Sequence, residues 1–441
     1  MKVTSLKGDF EMVTIKLDFN KKLGKIKPMH GVGQPPFSGV DFSMFKYLKD
    51  AGIPYSRLHD VDGRFGGGLW VDIPNIFRDF DADPYDRASY DFAFTDLLIK
   101  ALMENGCVPF FRLGVTIENA HRIKAYRIYP PKDFKKWAII CEHIIRHYTM
   151  GWANGFKYDI KYWEIWNEPD NNPNCETNPL WRGTKEEYFD LYEVAAKHLK
   201  SRFPHIKIGG YGSCGFYNLK GSDGSFGMCS SHTEYFVKFM DAFLDYVKKT
   251  SSPFDFFSWH TYDGDIKNNI FYASYARQRL DEAGFTETET SCNEWNCQVN
   301  LRGSAKHAAI TAAVMLAFQN TPLDNAMFYD ARLGISSYGS LFNPLTRKPF
   351  PAYYAFTAFN RLYQLSEQLS LDIDSDEIYA VGATNGEENC VVIANPTDEG
   401  EKLSLNAEIV KCIVTSDNGN DVECDFDGTV PANSIVTLYV K

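Results

Sequence analysis

Two glutamates carry the most chemistry in this sequence. Glu168 closes the run Trp163-Glu164-Ile165-Trp166-Asn167-Glu168-Pro169-Asp170, and Glu294 lies within Cys292-Asn293-Glu294-Trp295-Asn296. Each follows an apolar or aromatic stretch and is set among Trp and Asn. Paired carboxyls of this kind suit glycosidic-bond hydrolysis. Held ~5–5.5 Å apart, one attacks the anomeric carbon while the other protonates the leaving oxygen, with retention; at ~6.5–9.5 Å a water fits between them and the outcome is inversion. The chemistry needs one carboxyl neutral and one ionised, and mutual proximity drives their pKa values apart. A lone glutamate could equally be an ion-pair partner or a strand-end cap. Two in matching surroundings favour the catalytic reading.

Other polar residues end apolar runs in the same way: Arg57-Leu58-His59, Arg112-Leu113-Gly114, Trp259-His260-Thr261-Tyr262 and Tyr329-Asp330-Ala331-Arg332. His59 and His260 are expected to hydrogen-bond a sugar. Trp166, Trp259 and Trp295 are expected to stack on sugar rings, whose C–H faces suit an aromatic plane. Arg112 has two readings: it pairs with a substrate carboxylate, or it is scaffolding bonded to Asp330 or Glu118. No His/Cys cluster has metal-ligand spacing. Cys292 and Cys297 read as small packing residues. The sequence therefore calls for no cofactor and no metal.

What could hold these residues together is a repeating strand-then-helix rhythm. Candidate strands lie at 30–33, 55–59, 108–113, 162–167, 206–210, 254–260, 287–294 and 325–329. Candidate helices lie at 41–51, 92–105, 133–149, 185–202, 232–249, 270–283, 305–319 and 351–364. Parallel strands need crossovers, and eight such units close a (β/α)8 TIM barrel, whose functional residues sit at the C-terminal ends of the strands. Thr184…Glu187 and Ser231…Glu234 have capping-box spacing. Gly52, Gly106 and Gly284 stand where helices end in a left-handed residue. An open doubly wound sheet is disfavoured, because no Gly-rich fingerprint joins a strand to a helix.

Beyond about Leu365 the rhythm changes to short strands at 378–382, 390–394, 409–415 and 435–440, which read as a β-sandwich. An early alternating segment has Val13, Ile15, Leu17 and Phe19 on one face and reads as a half-buried strand. It is left over from the barrel count and is expected to join the sandwich. The expected division is residues 1–27 with the sandwich strands, 28–365 as the barrel and 366–441 as the accessory domain.

Composition narrows the function classes. Of 441 residues, 46 are Lys or Arg and 57 are Asp or Glu, a net charge of −11. Without a basic block there is no electrostatic footprint for nucleic acid or anionic lipid. No run reaches the ~18 apolar residues of a membrane span. The N-terminus lacks the apolar core of a signal peptide, so a cytoplasmic protein with reduced cysteines is expected. A homo-oligomer is left open. Aromatic residues are 15% of the chain, and all eight Trp lie between positions 70 and 295, which fits a packed barrel with an aromatic-walled pocket.

The segment Trp163–Asp170 resembles the fourth-strand signature of the (β/α)8 glycoside hydrolase clan that draws its acid/base and nucleophile from strands four and seven. Within that clan the chain is most similar to glycoside hydrolase family 39, which includes β-xylosidases and α-L-iduronidases. Gly31-Val32-Gly33-Gln34, Arg57-Leu58-His59, Trp259-His260-Thr261-Tyr262 and Pro349-Phe350-Pro351-Ala352-Tyr353-Tyr354-Ala355-Phe356 carry that similarity. The resemblance implies Glu168 as general acid/base, Glu294 as nucleophile, Asn167 on the sugar 2-hydroxyl, and His59, His260 and Tyr262 lining the glycone site. The chain departs from the family pattern at Arg112 and at Asp330 and Arg332, where the glycone is recognised. The implied activity is retaining, exo-acting removal of a terminal β-xylosyl-type residue from an oligosaccharide. Alternatives are an endo-acting glycanase, a uronic-acid-specific glycosidase, or a non-catalytic carbohydrate-binding barrel.

Overall fold

A computed structural model describes residues 12–36, 42–61, 71–117, 127–224, 227–333 and 338–441. The chain forms two compact units, each assembled from separate segments. One comprises Pro28–Cys297 and Thr321–Arg347, the other Met1–Lys27, Gln298–Asn320 and Lys348–Lys441.

The larger unit is built on a closed barrel of eight strands: β2 (Gly31–Gly33), β3 (Tyr55–Leu58), β4 (Val108–Leu113), β5 (Tyr162–Ile165), β6 (Lys207–Ser213), β7 (Phe256–Thr261), β8 (Glu289–Trp295) and β9 (Asn325–Tyr329). Every neighbouring pair is parallel, and β2 closes on β9. The same unit contains helices α1 (Lys46–Asp50), α2 (Ile73–Ile76), α3 (Ala93–Glu104), α4 (Phe134–Met150), α5 (Lys185–Arg202), α6 (Ser230–Thr250) and α7 (Ile266–Ala283). Phe110, Tyr162, Phe256 and Met327 form a buried cluster contributed by strands β4, β5, β7 and β9. This fills the barrel as a packed core rather than a pore.

Local signals explain most of the helix ends. Thr184 caps α5 in a full capping box with Glu187. Gly52, Gly106 and Gly284 all take positive φ. The second expected capping box does not form: α6 begins at Ser230 after Cys229, with no side-chain cap. Ser231 is already inside the helix, so its hydroxyl cannot serve the cap position. α7 starts earlier than its apolar period suggests, because the Asp265 carboxylate accepts the amides of Lys267 and Asn268. β5 is shorter than expected, because the chain turns left-handed at Trp166 (φ 73°).

The smaller unit contains β1 (Val13–Lys25), helices α8 (Ala305–Gln319) and α9 (Tyr353–Leu365), and strands β10 (Glu367–Ile373), β11 (Tyr379–Thr384), β12 (Asn389–Asn395), β13 (Glu401–Leu405), β14 (Ile409–Ser416), β15 (Gly419–Cys424), β16 (Thr429–Val430) and β17 (Ser434–Val440). The sheet order is β15-β14-β17-β12-β11-β10-β1-β13-β16. β1 runs antiparallel to β10 and parallel to β13. Val13, Ile15 and Leu17 share one buried core with Leu369, Val391, Ile393 and Leu438. Strands distant in the order meet in that core, so the sheet curls over it in the manner of a β-sandwich. α8 and α9 pack against β11, β12 and β17 of this sheet. Among the described residues no helix is long and apolar enough to cross a membrane.

Candidate active site

The barrel strands deliver a continuous network of polar side chains. β3 contributes Arg57, whose guanidinium is fully buried and shared three ways. Its Nε donates to Glu164 Oε2 at 2.8 Å, its Nη1 to Glu294 Oε2 at 2.8 Å, and its Nη2 to Asn167 Oδ1. Burial works against the Arg57 charge, but Glu164 and Glu294 outweigh it and raise its pKa. Glu164 on β5 also accepts from Ser258 Oγ on β7 at 2.6 Å and from Asn293 Nδ2 on β8 at 2.7 Å. One buried carboxylate thus ties β3, β5, β7 and β8 together beneath the site.

Just past β5, the backbone holds Trp166 at φ 73° and Glu168 at φ 45°. Left-handed conformations cost non-glycine residues roughly 1–3 kcal/mol each and cluster at functional sites. The Glu168 amide is fixed by the carbonyls of Tyr211 (3.0 Å) and Gly212 (3.1 Å). Its carboxylate accepts from His260 Nδ1 at 2.7 Å and from Asn171 Nδ2 at 3.0 Å. Burial pushes the Glu168 pKa up, but His260, Asn171 and Arg57 more than reverse this and hold it below the usual value. Burial likewise works against protonating His260, and Glu294 together with the Glu168 hydrogen bond reverses that and raises its pKa. Both shifts favour a carboxylate facing a protonated imidazole.

Glu294, on β8, accepts from the Tyr262 hydroxyl as well as from Arg57. His260 Nε2 stands 3.8 Å from Glu294 Oε2. Oxygens of Glu168 and Glu294 and a nitrogen of His260 all lie within 4.8 Å of one another. Three such groups could in principle ligate a cation. Arg57 already supplies positive charge to Glu294, and His260 is committed to Glu168, so the set fits proton handling better than metal binding.

His59 stays neutral, because burial and the charges of Arg112 and Arg57 press its pKa well below 6.5. Its Nε2 therefore accepts from the Asn167 amide at 3.3 Å, and its 3.4 Å approach to Asp60 is not an ion pair. Asn167 is oriented by both neighbours, with its oxygen to Arg57 and its nitrogen to His59.

Arg57, His59, Asn167, Glu168, His260, Tyr262 and Glu294 thus come together. Trp166, Trp259 and Trp295 do not take the stacking role expected of them. The Trp166 indole donates to the Leu180 carbonyl and packs on Trp137 and Trp181. Trp295 packs on Phe328 and Trp259 on Phe216. The strand ladders shift register at Trp259/His260 and between Cys292 and Trp295, which frees these indoles from simple alternation.

Arg112 is also buried away from the carboxylates. It donates to Asp72 at 2.6 Å, as does Arg127 at 2.5 Å, and Thr116 completes the bonds to that carboxylate. Of its expected partners, Asp330 bonds Arg332 at 2.9 Å, and Glu118 lies outside the described residues, as does Trp70.

Sequence reasoning passed over Glu164, Ser258, Asn171 and Gly212. Alternation along the fourth candidate strand could have exposed Glu164, an acid inside an otherwise apolar segment. Gly212 has φ +64°, and a Cβ there would lie 3.1 Å from Arg57 Nη2, Asn167 Oδ1 and His260 Nε2. No local pattern announces that.

A family model described as glycosyl hydrolases family 39 matches residues 15–317. A β-xylosidase from Geobacillus stearothermophilus is 24% identical over 344 residues, 67% of this chain and 61% of that protein. A β-xylosidase from Caldicellulosiruptor saccharolyticus is 26% identical over 275 residues, 58% of this chain and 47% of that one. The chain thus spans about half to three-fifths of the length of these curated relatives. Among solved structures, a glucosidase from Croceicoccus marinus superposes with TM-score 0.77 at 20% identity, covering 98% of this chain and 99% of the other. A monomeric β-xylosidase from Caulobacter crescentus gives TM-score 0.65 at 16% identity, covering 97% and 99%. At these identities the structural likeness speaks to the fold.

Proposed function

The chain belongs to glycosyl hydrolases family 39, and from that premise we propose that it is a retaining, exo-acting glycosidase releasing a terminal β-xylosyl-type residue from oligosaccharides. The observation that carries the reading is the pair Glu168 and Glu294, with oxygens within 4.8 Å and different partners. Close approach of the two carboxyls is what direct attack by one of them needs.

In this reading Glu294, held by Arg57 and aimed by Tyr262, attacks the anomeric carbon. Glu168 protonates the departing oxygen. The proton is stored on the Glu168–His260 pair: a sugar filling the pocket excludes water, weakens the separated charges, and favours transfer from His260 Nδ1 to Glu168 along their hydrogen bond. Glu168, ionised again, then takes a proton from the water that releases the sugar. Asn167, locked by Arg57 and His59, offers its amide to the 2-hydroxyl, an interaction worth most in the transition state.

Around the site Arg57 pairs with Glu164 and Glu294 and Arg332 with Asp330, while Arg112 and Arg127 share the single carboxylate of Asp72. Exo action rests on similarity to the β-xylosidases and on the long segments 60–91 and 171–183.

A panel of nitrophenyl glycosides tests this. Glu294→Ala should abolish turnover on every member. Glu168→Ala should keep some turnover where the leaving group is good and respond to azide. Near-normal activity of Glu294→Ala would overturn the assignment, turnover confined to internal bonds of polymers would indicate endo action, and inactivity of the wild type on all substrates would indicate a binding protein.

A further inference from the structure

The edge hairpin of the nine-stranded sheet brings two thiols face to face. β14 and β15 pair antiparallel with Cys412 directly opposite Cys424, and the sulfurs lie 3.9 Å apart. Directly opposed residues on antiparallel strands have Cα atoms ~4.5 or ~5.5 Å apart, according to pair type. A disulfide spans Cα separations of ~4.4–6.8 Å. Either pair type lies within that range. Cys424 is exposed on the edge strand, while Cys412 is buried beneath it.

We propose that Cys412 and Cys424 form a redox modification site, converted to a cross-strand disulfide by a low-molecular-weight disulfide of the glutathione type. Cys424 loses its proton to solvent and attacks one sulfur of the reagent. The reagent S–S bond breaks, a mixed disulfide forms on Cys424, and the departing thiolate takes up a proton. Cys412, deprotonated in turn, attacks the Cys424 sulfur and expels the second reagent thiol. Two protein thiols are oxidised to one disulfide while one reagent disulfide is reduced to two thiols. Burial pushes the Cys412 thiol up to about 12, so the second step is the slower and accelerates as pH rises. The cross-link pins the outermost strand, which Arg361 already holds through Asp421 at 2.6 Å.

Cys229 is an internal control. It is also exposed, and its hydrogen bond with Ser231 lowers its pKa. Its sulfur contacts Ser231 and His232 rather than another sulfur, so its reaction stops at the mixed disulfide.

The full chain is incubated with glutathione disulfide, alkylated, digested and read by mass spectrometry. The expected result is glutathione on Cys229 but a Cys412–Cys424 cross-linked peptide, with both of those thiols lost to alkylation and recovered after dithiothreitol. In Cys412→Ser, Cys424 should instead retain glutathione; in Cys424→Ser, Cys412 should remain an alkylatable thiol after unfolding. Wild-type Cys424 carrying stable glutathione, as Cys229 does, would overturn the proposal, as would Cys424 remaining a free thiol while Cys229 reacts.

Discussion

At Gly212 a single hydrogen in place of a side chain keeps three polar groups in register. A Cβ there would press on Arg57, Asn167 and His260 at 3.1 Å, in a left-handed backbone that an alanine adopts only with strain. Displacing catalytic groups by even ~1 Å can cost on the order of 100-fold. Gly212→Ala is therefore expected to lower kcat by about 10–100-fold while the circular dichroism spectrum keeps its native form. Asp170 lies beside the site without touching the other carboxylates. Burial and the Glu168 charge raise its pKa to about 7, and it is held by Ser213 and the Cys214 amide. Its folded pKa exceeds the ordinary 3.8, so the folded state binds this proton more tightly than the unfolded state. The stabilisation is fully present below the unfolded value and is lost as pH rises through about 7. Asp170→Asn should flatten the fall in Tm between about pH 4 and 7. Asp330 and Asp60, raised by burial to about 7 and about 6, leave a residual slope of the same sign.

At the scale of elements, Glu164 does for the strands what Gly212 does for the site. Arg57 on β3, Ser258 on β7 and Asn293 on β8 all donate to this one carboxylate on β5. Removing this carboxylate strands the buried donors Arg57 Nε, Ser258 Oγ and Asn293 Nδ2, which together costs on the order of 3–5 kcal/mol. Glu164→Ala should lose that much in a urea titration and should also impair turnover, because Arg57 then has Glu294 as its remaining carboxylate partner. The element boundaries show where local patterns suffice. Thr184 and Glu187 form their capping box because both residues sit at the positions the motif needs. Ser231 and Glu234 have the same spacing and fail, because α6 starts before Ser231. The three tryptophans are a similar case: proximity in sequence to Glu168, His260 and Glu294 suggested a sugar platform, and in the fold those indoles pack against Trp137, Trp181, Phe216 and Phe328.

At the scale of the whole molecule, both units are assembled from distant segments. Strand β1 is bonded to β10 and β13, hundreds of residues away in the chain. Ile15 is fully buried in the core of that sheet. Ile15→Ala should lower stability by about 2–5 kcal/mol, read as a reduced denaturation midpoint with circular dichroism. A chain folding in this way must bring its ends together before that core is complete, which costs loop-closure entropy that no local propensity supplies.

The sequence by itself determined the barrel, the order of its strands and the two glutamates. Those features rest on short-range physics: apolar runs spaced by helical crossovers, and acidic residues that stand out at strand ends. It also revealed that the first strand was surplus to the barrel. The tertiary structure alone decided how Arg57 divides its donors, that His260 bonds Glu168 beside Glu294, that Gly212 lies against three site residues, and that Arg112 shares Asp72 with Arg127. Each of these depends on angles and separations between strands far apart in the chain, where a fraction of an ångström decides whether a hydrogen bond forms and burial decides which charge survives.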